Sequence, residues 1–234
     1  MFWNRMKKPR PVPQRVMPEE QCSMIYAYSN AMKAAQYALE WDLEHGTNSF
    51  EMLMQSVRID LWGSSMTGVL FCEQNSAYTA LQNHQWLPDF PFPRNYTAEQ
   101  INDMPFGENI VISVPYDPKK WRAALSDLSV SDFDQHKNPM HDYCGDYYPE
   151  LRVIQIHAGR HHSSAAALRA QGSATVHVWD LTVCYPYFWT DGAFWYNDRA
   201  EGGKERGMKP VKDVRVAILY GMAQMRWSTR YKTG

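Results

Sequence analysis

The stretch that decides the fold runs from Arg152 to Gly172 and reads R-V-I-Q-I-H-A-G-R-H-H-S-S-A-A-A-L-R-A-Q-G. The residues that lead into it, Leu151 to Ile156, form a short apolar run with Val153 and Ile154 at its centre, the signature of a buried strand. Ala158-Gly159 then turns the chain. An alanine-rich run from Ser163 to Gln171 follows, closed by Gly172, and reads as a helix with Ser163 or Ser164 near its start. Ala174 to Trp179 is a second strand. Amides at a helix start lack intrahelical partners, and with the helix dipole they favour an anion. Gly159 lets the backbone approach closely. Arg160, His161 and His162 add donors, Ser163 and Ser164 add hydroxyls, and Lys119 and Lys120 at the start of an earlier helix add charge. The expected occupant of this turn is a phosphate.

Upstream of this unit, Ile110 to Val114 is β-rich and ends at Pro115. Asp117-Pro118 then opens a helix, with Asp as N-cap and Pro at the first position. Trp121, Leu125 and Leu128 give that helix an apolar face. Residues 129–149 read as a long acidic and aromatic loop carrying His136, His141, Cys144 and Asp146. The spacing H-x4-H-x2-C fits no strong zinc pattern, and no metal is assigned. The order of strands and helices argues for an α+β core.

On these residues the segment resembles the ParB/sulfiredoxin-like superfamily, whose G-x-H-R-x-x-A-A…G box lies between strands and cradles nucleotide phosphates. Gly159, His161, Ala165 and Gly172 match the box, and Val114 to Trp121 resembles the family's earlier strand-to-helix step. The likeness spans residues 108–182. It implies a mixed α/β core and ATP as the nucleotide. His162 stands where the box has arginine. Arg160 stands where sulfiredoxins carry their reactive cysteine, so sulfinic-acid reduction is not expected. An aromatic segment and few further residues follow the box, so the helix-turn-helix of partition proteins is not expected. A G-x-H-S variant belongs to a plasmid-borne branch that includes Osa-like fertility-inhibition factors. That branch implies a protein that blocks conjugation by binding a coupling protein or another secretion-system component. An ATPase or nuclease using the Gly159–Ser164 turn is one alternative. A DNA-binding regulator is another.

Ahead of the core, residues 1–18 form a basic, proline-rich tail in which Pro9, Pro11 and Pro13 forbid a helix. Ile25, Tyr28, Met32, Ala35 and Leu39 then recur at helical spacing, with Glu19 and Glu20 in the first turn and Gly46 as the stop. Asn48 with Glu51 resembles a capping box for a second helix ending at Gly63. A weaker third helix is expected over residues 69–86. Residues 87–107 read as a connector packed by Phe90, Phe92 and Phe106. The expected organisation is a tail at 1–18, a helical layer at 19–104, the α/β core at 105–198 and a basic segment at 199–234. In the last part, Val211 to Arg226 reads as a strand, by the alternation of Val214, Val216, Ile218 and Tyr220, or as a helix, which its length favours.

Composition bounds the function. The 234 residues are 44% hydrophobic and 14% aromatic, enough for a real core. Charge nearly cancels, with 24 basic against 25 acidic residues, unlike a non-specific polyanion binder. A local basic patch does exist at Arg199, Lys204, Arg206, Lys209, Lys212 and Arg215, and at Arg226, Arg230 and Lys232, with Trp195, Tyr196, Trp227 and Tyr231 nearby for base stacking. No apolar run is long enough to span a membrane. Four scattered cysteines and no leader segment point to reduced thiols in the cytoplasm.

Overall fold

The computed structural model describes residues 18–71, 87–115, 117–130, 143–199 and 209–230. The architecture is mixed α+β, with five helices and two sheets among these residues. The expected tail, His136 and His141, and most of the expected 69–86 helix lie outside them.

Helix α1 spans Glu19–His45, and Gly46 ends it in the left-handed conformation while donating to the Asp42 carbonyl at 2.8 Å. Helix α2 spans Ser49–Phe71. Its start is capped across the turn, because Asp42 of α1 accepts the Ser49 and Phe50 amides at 2.7 and 2.8 Å. The expected cap, Asn48, contributes its backbone carbonyl to Met52. Gly63 does not end α2. An interior glycine costs about 1 kcal/mol relative to alanine, and buried Leu61, Ser65 and Met66 on either side hold the helix through it.

The connector keeps its aromatic packing. Phe90 is buried among Tyr148, Phe188, Trp195 and Tyr220, with ring centroids 5.4 to 6.4 Å away. It gives way at Glu99 to strand β1, Glu99–Pro105. Strand β2 is Ile110–Ile112, β3 is Cys144–Tyr148, β4 is Val153–Ile156 and β5 is Ser173–Val178. They form one sheet in the order β1-β5-β3-β4-β2. The β2/β4 and β3/β5 pairs are parallel, and β3/β4 and β1/β5 are antiparallel. Strand β3 falls inside the stretch read as a long loop.

Helices α3, Pro118–Val130, and α4, Arg160–Leu168, follow β2 and β4. Because those two strands are adjacent and parallel, both helices start at the same end of the sheet. Alternation along β4 divides the core. Ile154 and Ile156 pack with Val111, Ala124, Tyr143, Ala165, Ala166 and Val176. Val153 packs with Ile112, Tyr148, Met54 and Leu61, in the cluster that takes in α2 and α5, Val214–Arg230. Two aromatic-rich strands, β6, Phe188–Thr190, and β7, Phe194–Asn197, join β8, Lys209–Pro210, in a three-stranded antiparallel sheet. Stacking of Phe188 on Trp195 at 5.3 Å and of Trp189 on Tyr196 at 4.0 Å ties β6 to β7.

Strand β3 approaches β4 most closely at Gly145, where any Cβ would collide with the Gln155 carbonyl oxygen. Gly145→Ala is therefore expected to lower stability by about 1–3 kcal/mol in denaturant unfolding. Unchanged stability would contradict the β3/β4 register.

Candidate functional site

The site predicted from the sequence lies where β2 and β4 deliver their helices. Gly159 is the N-cap of α4, at φ 73°. The helix therefore starts at Arg160, three residues before the expected Ser163. Arg160, His161 and His162 form its first turn, and the two serines fall one step further in.

That shift changes what the serines do. Ser163 and Ser164 are fully buried. The Ser163 amide donates to the Gly159 carbonyl at 3.0 Å, within the helical ladder. Its hydroxyl lies 2.8 Å from the Ser113 hydroxyl and within 3.3 Å of the Gly159 and Arg160 carbonyls. The Ser164 hydroxyl donates to the His161 carbonyl at 2.9 Å. Ser113, in the loop after β2, donates to the Arg160 carbonyl at 2.8 Å. Neither serine of α4 offers its hydroxyl to solvent.

His161 is buried and spans the gap between the helix starts. Its Nε2 accepts the backbone N–H of Asp117 at 3.1 Å. Only a neutral imidazole has a lone pair for that bond. Burial lowers its pKa to about 4. The Asp117 carboxylate opposes the shift, while Lys120, His162 and Arg160 add to it. Asp117 itself caps α3 as expected, accepting the Lys119 and Lys120 amides at 2.9 and 3.2 Å. Those amide bonds, the Lys120 one foremost, hold its carboxyl below the usual range. A carboxylate thus already sits at the start of α3, the position where anions are favoured. Gly159 does permit a close approach, but the Tyr143 ring takes that space, since a Cβ at 159 would strike it. What faces outward is a basic rim: half-buried Arg160 and His162, and exposed Lys119 and Lys120.

A second polar cluster lies beside this turn. Asp146 on β3 accepts from Trp179 Nε1 at 2.7 Å and is 2.6 Å from His157 Nε2. Burial alone would raise the Asp146 pKa, and the bonds to His157 and Trp179 hold it low instead. The sequence reading named Asp146 only as a loop residue, so its partnership with His157 was missed. The signal was the alternation Cys144-Gly-Asp-Tyr-Tyr148, which places residues 144, 146 and 148 on one face. Asp180 caps the short 3-10 turn Leu181–Val183, accepting the Thr182 amide at 2.9 Å. No group of three His, Cys, Asp or Glu side chains among the described residues is placed to share a metal.

The C-terminal basic residues are committed within the fold. Arg215 pairs with Asp213 and Asp60, Arg226 with Glu51 and Lys209 with Asp89, and Arg199 lies over the Tyr187 ring. Trp195 and Tyr196 are buried, so neither offers a face for stacking on a base. Lys204, Arg206, Tyr231 and Lys232 lie outside the described residues. Among those described, no helix is long and apolar enough to cross a membrane.

A family model matches residues 13–233. The chain belongs to this family of unknown function (DUF6710). No curated protein and no solved structure matches it. In this DUF6710 chain the junction of β2–α3 with β4–α4 is a closed clasp with a basic rim.

Because His161 has a depressed pKa in the folded state, the unfolded chain takes up its proton first as pH falls. Stability from this residue is full above about pH 6.5 and is lost as pH drops toward about 4, by at most about 3 kcal/mol. His161→Gln, which keeps an acceptor, is expected to remove that part of the slope in unfolding curves between pH 7 and 4. An unaltered slope would show that His161 is not the neutral acceptor.

Proposed function

We propose that this protein acts by binding a macromolecular partner and occluding it, as a conjugation-blocking fertility-inhibition factor does when it engages a coupling protein or another secretion component. The observation that carries this reading is the outer face of α1. Tyr26 and Tyr37 are 71% and 67% exposed, three helical turns apart on one side. Trp41 continues the stripe, stacked against Tyr37 at 6.3 Å and against His45 at 3.9 Å. Exposed aromatic residues are the common anchors of protein interfaces. Glu40 and Glu44 flank the stripe, so the complementary surface is an apolar pocket with a basic rim. The opposite face of α1 is held against the core through Met32 and Ala35.

The geometry of the turn favours binding over turnover. An ATPase or nuclease needs a group poised to take or deliver a proton, and the His161 lone pair already holds the Asp117 amide. The Ser163 and Ser164 hydroxyls are likewise engaged. A DNA-binding role loses support because the basic residues Arg215 and Arg226 are paired with carboxylates.

Donor cells expressing the protein should transfer a susceptible co-resident plasmid at least about tenfold less often. The double variant Tyr37→Ala/Trp41→Ala, exposed and expected to fold, should restore transfer, because interface aromatics carry about 2 kcal/mol or more each. Unchanged transfer across several plasmid groups would overturn the reading. So would full inhibition by the double variant.

A further inference from the structure

We propose that Cys144 is a reactive thiol that exchanges with a small-molecule disulfide, with His157 as its base and Asp146 orienting that base. This goes beyond the partner-binding role and does not rest on it. Side chains alternate along β3. Gly145 and Tyr147 stand opposite Ile156 and Ile154 in the ladder, on the face covered by α4. Cys144 and Asp146 therefore lie on the other face. One step further along the β3/β4 register sets Cys144 across from His157, and the His157 amide donates to the Cys144 carbonyl at 2.8 Å. Residues directly opposed in this way hold their Cβ atoms about 4.5–5.5 Å apart. This end of the sheet face is open to solvent: Cys144, Asp146 and Thr175 are half-buried, and His157 and His177 are exposed.

The pairing of His157 leaves it a base. Its Nε2 is 2.6 Å from one Asp146 oxygen, and the Trp179 indole donates to the other at 2.7 Å. The carboxylate accepts the ring proton from Nε2, which leaves the lone pair on Nδ1. Among the described residues Nδ1 has no hydrogen-bond partner, and the His157 side chain is 46% exposed. A nucleophile, a base beside it and a third group orienting the base form the arrangement that activates a thiol. Gln155, across from Asp146 on the same face, adds a second feature: its Oε1 is buried without a hydrogen-bond partner. A disulfide that carries amide N–H groups has the donor this acceptor lacks, so glutathione disulfide represents the class.

The step is a thiol–disulfide exchange. The thiol proton passes to His157 Nδ1, Cys144 Sγ bonds one sulfur of the disulfide, and the S–S bond of the disulfide breaks. The departing thiolate takes the proton back from His157. Cys144 is oxidised to a mixed disulfide, the departing half is reduced to a thiol, and His157 ends as it began. The other described cysteines stand in different surroundings. Cys184 is buried, and burial pushes its thiol up to about 11, which leaves little thiolate at neutral pH. Cys22 is exposed on α1 and has no hydrogen-bond partner among the described residues, so it reports what exposure alone gives. Cys72 lies outside the described residues.

Glutathione disulfide added to the reduced full chain at neutral pH, with peptide mapping by mass spectrometry over time, tests this. Cys144 should gain the adduct about tenfold faster than Cys22, since a positioned base contributes about a hundredfold and half-burial takes part of it back. His157→Gln and, separately, Asp146→Asn should slow Cys144 toward the Cys22 rate and leave Cys22 itself unchanged. Cys184 should stay unmodified; its labelling in a variant would mark unfolding, and the comparison of Cys144 with Cys22 in the wild-type chain then decides alone. Cys144 reacting no faster than Cys22 would overturn the proposal, as would an undiminished Cys144 rate in folded His157→Gln. Tyr37→Ala/Trp41→Ala should react like wild type, which separates this test from the interaction reading.

Discussion

One nitrogen-to-nitrogen hydrogen bond organises the α/β core. The Asp117 amide, at the start of α3, donates to the His161 ring in the first turn of α4. Two helices that begin side by side would otherwise set two positive dipole ends against each other. A neutral imidazole and the Asp117 carboxylate sit at that junction, and Ser113 and Ser163 close it from beneath. Protonating His161 would convert its acceptor into a donor facing another donor. Burial makes that conversion unfavourable, so the bond and the depressed pKa both favour the neutral ring.

The helical layer depends on a different constraint. Arg58 is a buried cation whose charge is met by Glu51, and removing either partner alone would strand the other. The same guanidinium reaches the Leu151 carbonyl, so α2 is coupled to the turn that precedes β4. Arg226 extends the network to α5. Two polar linkages therefore bracket β4: the Arg58 network at its start and the His161 clasp beyond its end. The apolar and aromatic packing fills the space between them. Phe90 carries the connector into this packing, between Tyr148 of the sheet and Tyr220 of α5.

Local chemistry was legible in the sequence where it acts locally. Glu19, Gly46, Asp117-Pro118 and Gly159 each punctuate the chain as backbone rules require, and the bounds of α1 and the start of α3 follow from them. Tertiary information was not. Gly63 looks like a stop, yet flanking buried residues carry α2 through it. Strand β3 has no β-branched residue, and β1 is largely polar, so neither announces itself; both exist because β5 offers each a partner. At the site, residue types were read correctly and directions were not. A polar run G-R-H-H-S-S looks uniformly outward, but a helix starting at Arg160 turns Ser163 and Ser164 toward the sheet with Ala165 and Ala166. The ion-pair network around Glu51 was beyond reach, because its arginines come from positions 58, 152 and 226, with no motif linking them.

The clasp can be observed directly by NMR. In a uniformly nitrogen-labelled chain at neutral pH, a through-hydrogen-bond correlation should connect the Asp117 amide nitrogen to Nε2 of His161, and it should persist in excess ATP. A protonated Nε2 at neutral pH, or a correlation that vanishes when ATP is added, would contradict a closed turn and restore the phosphate-cradling alternative.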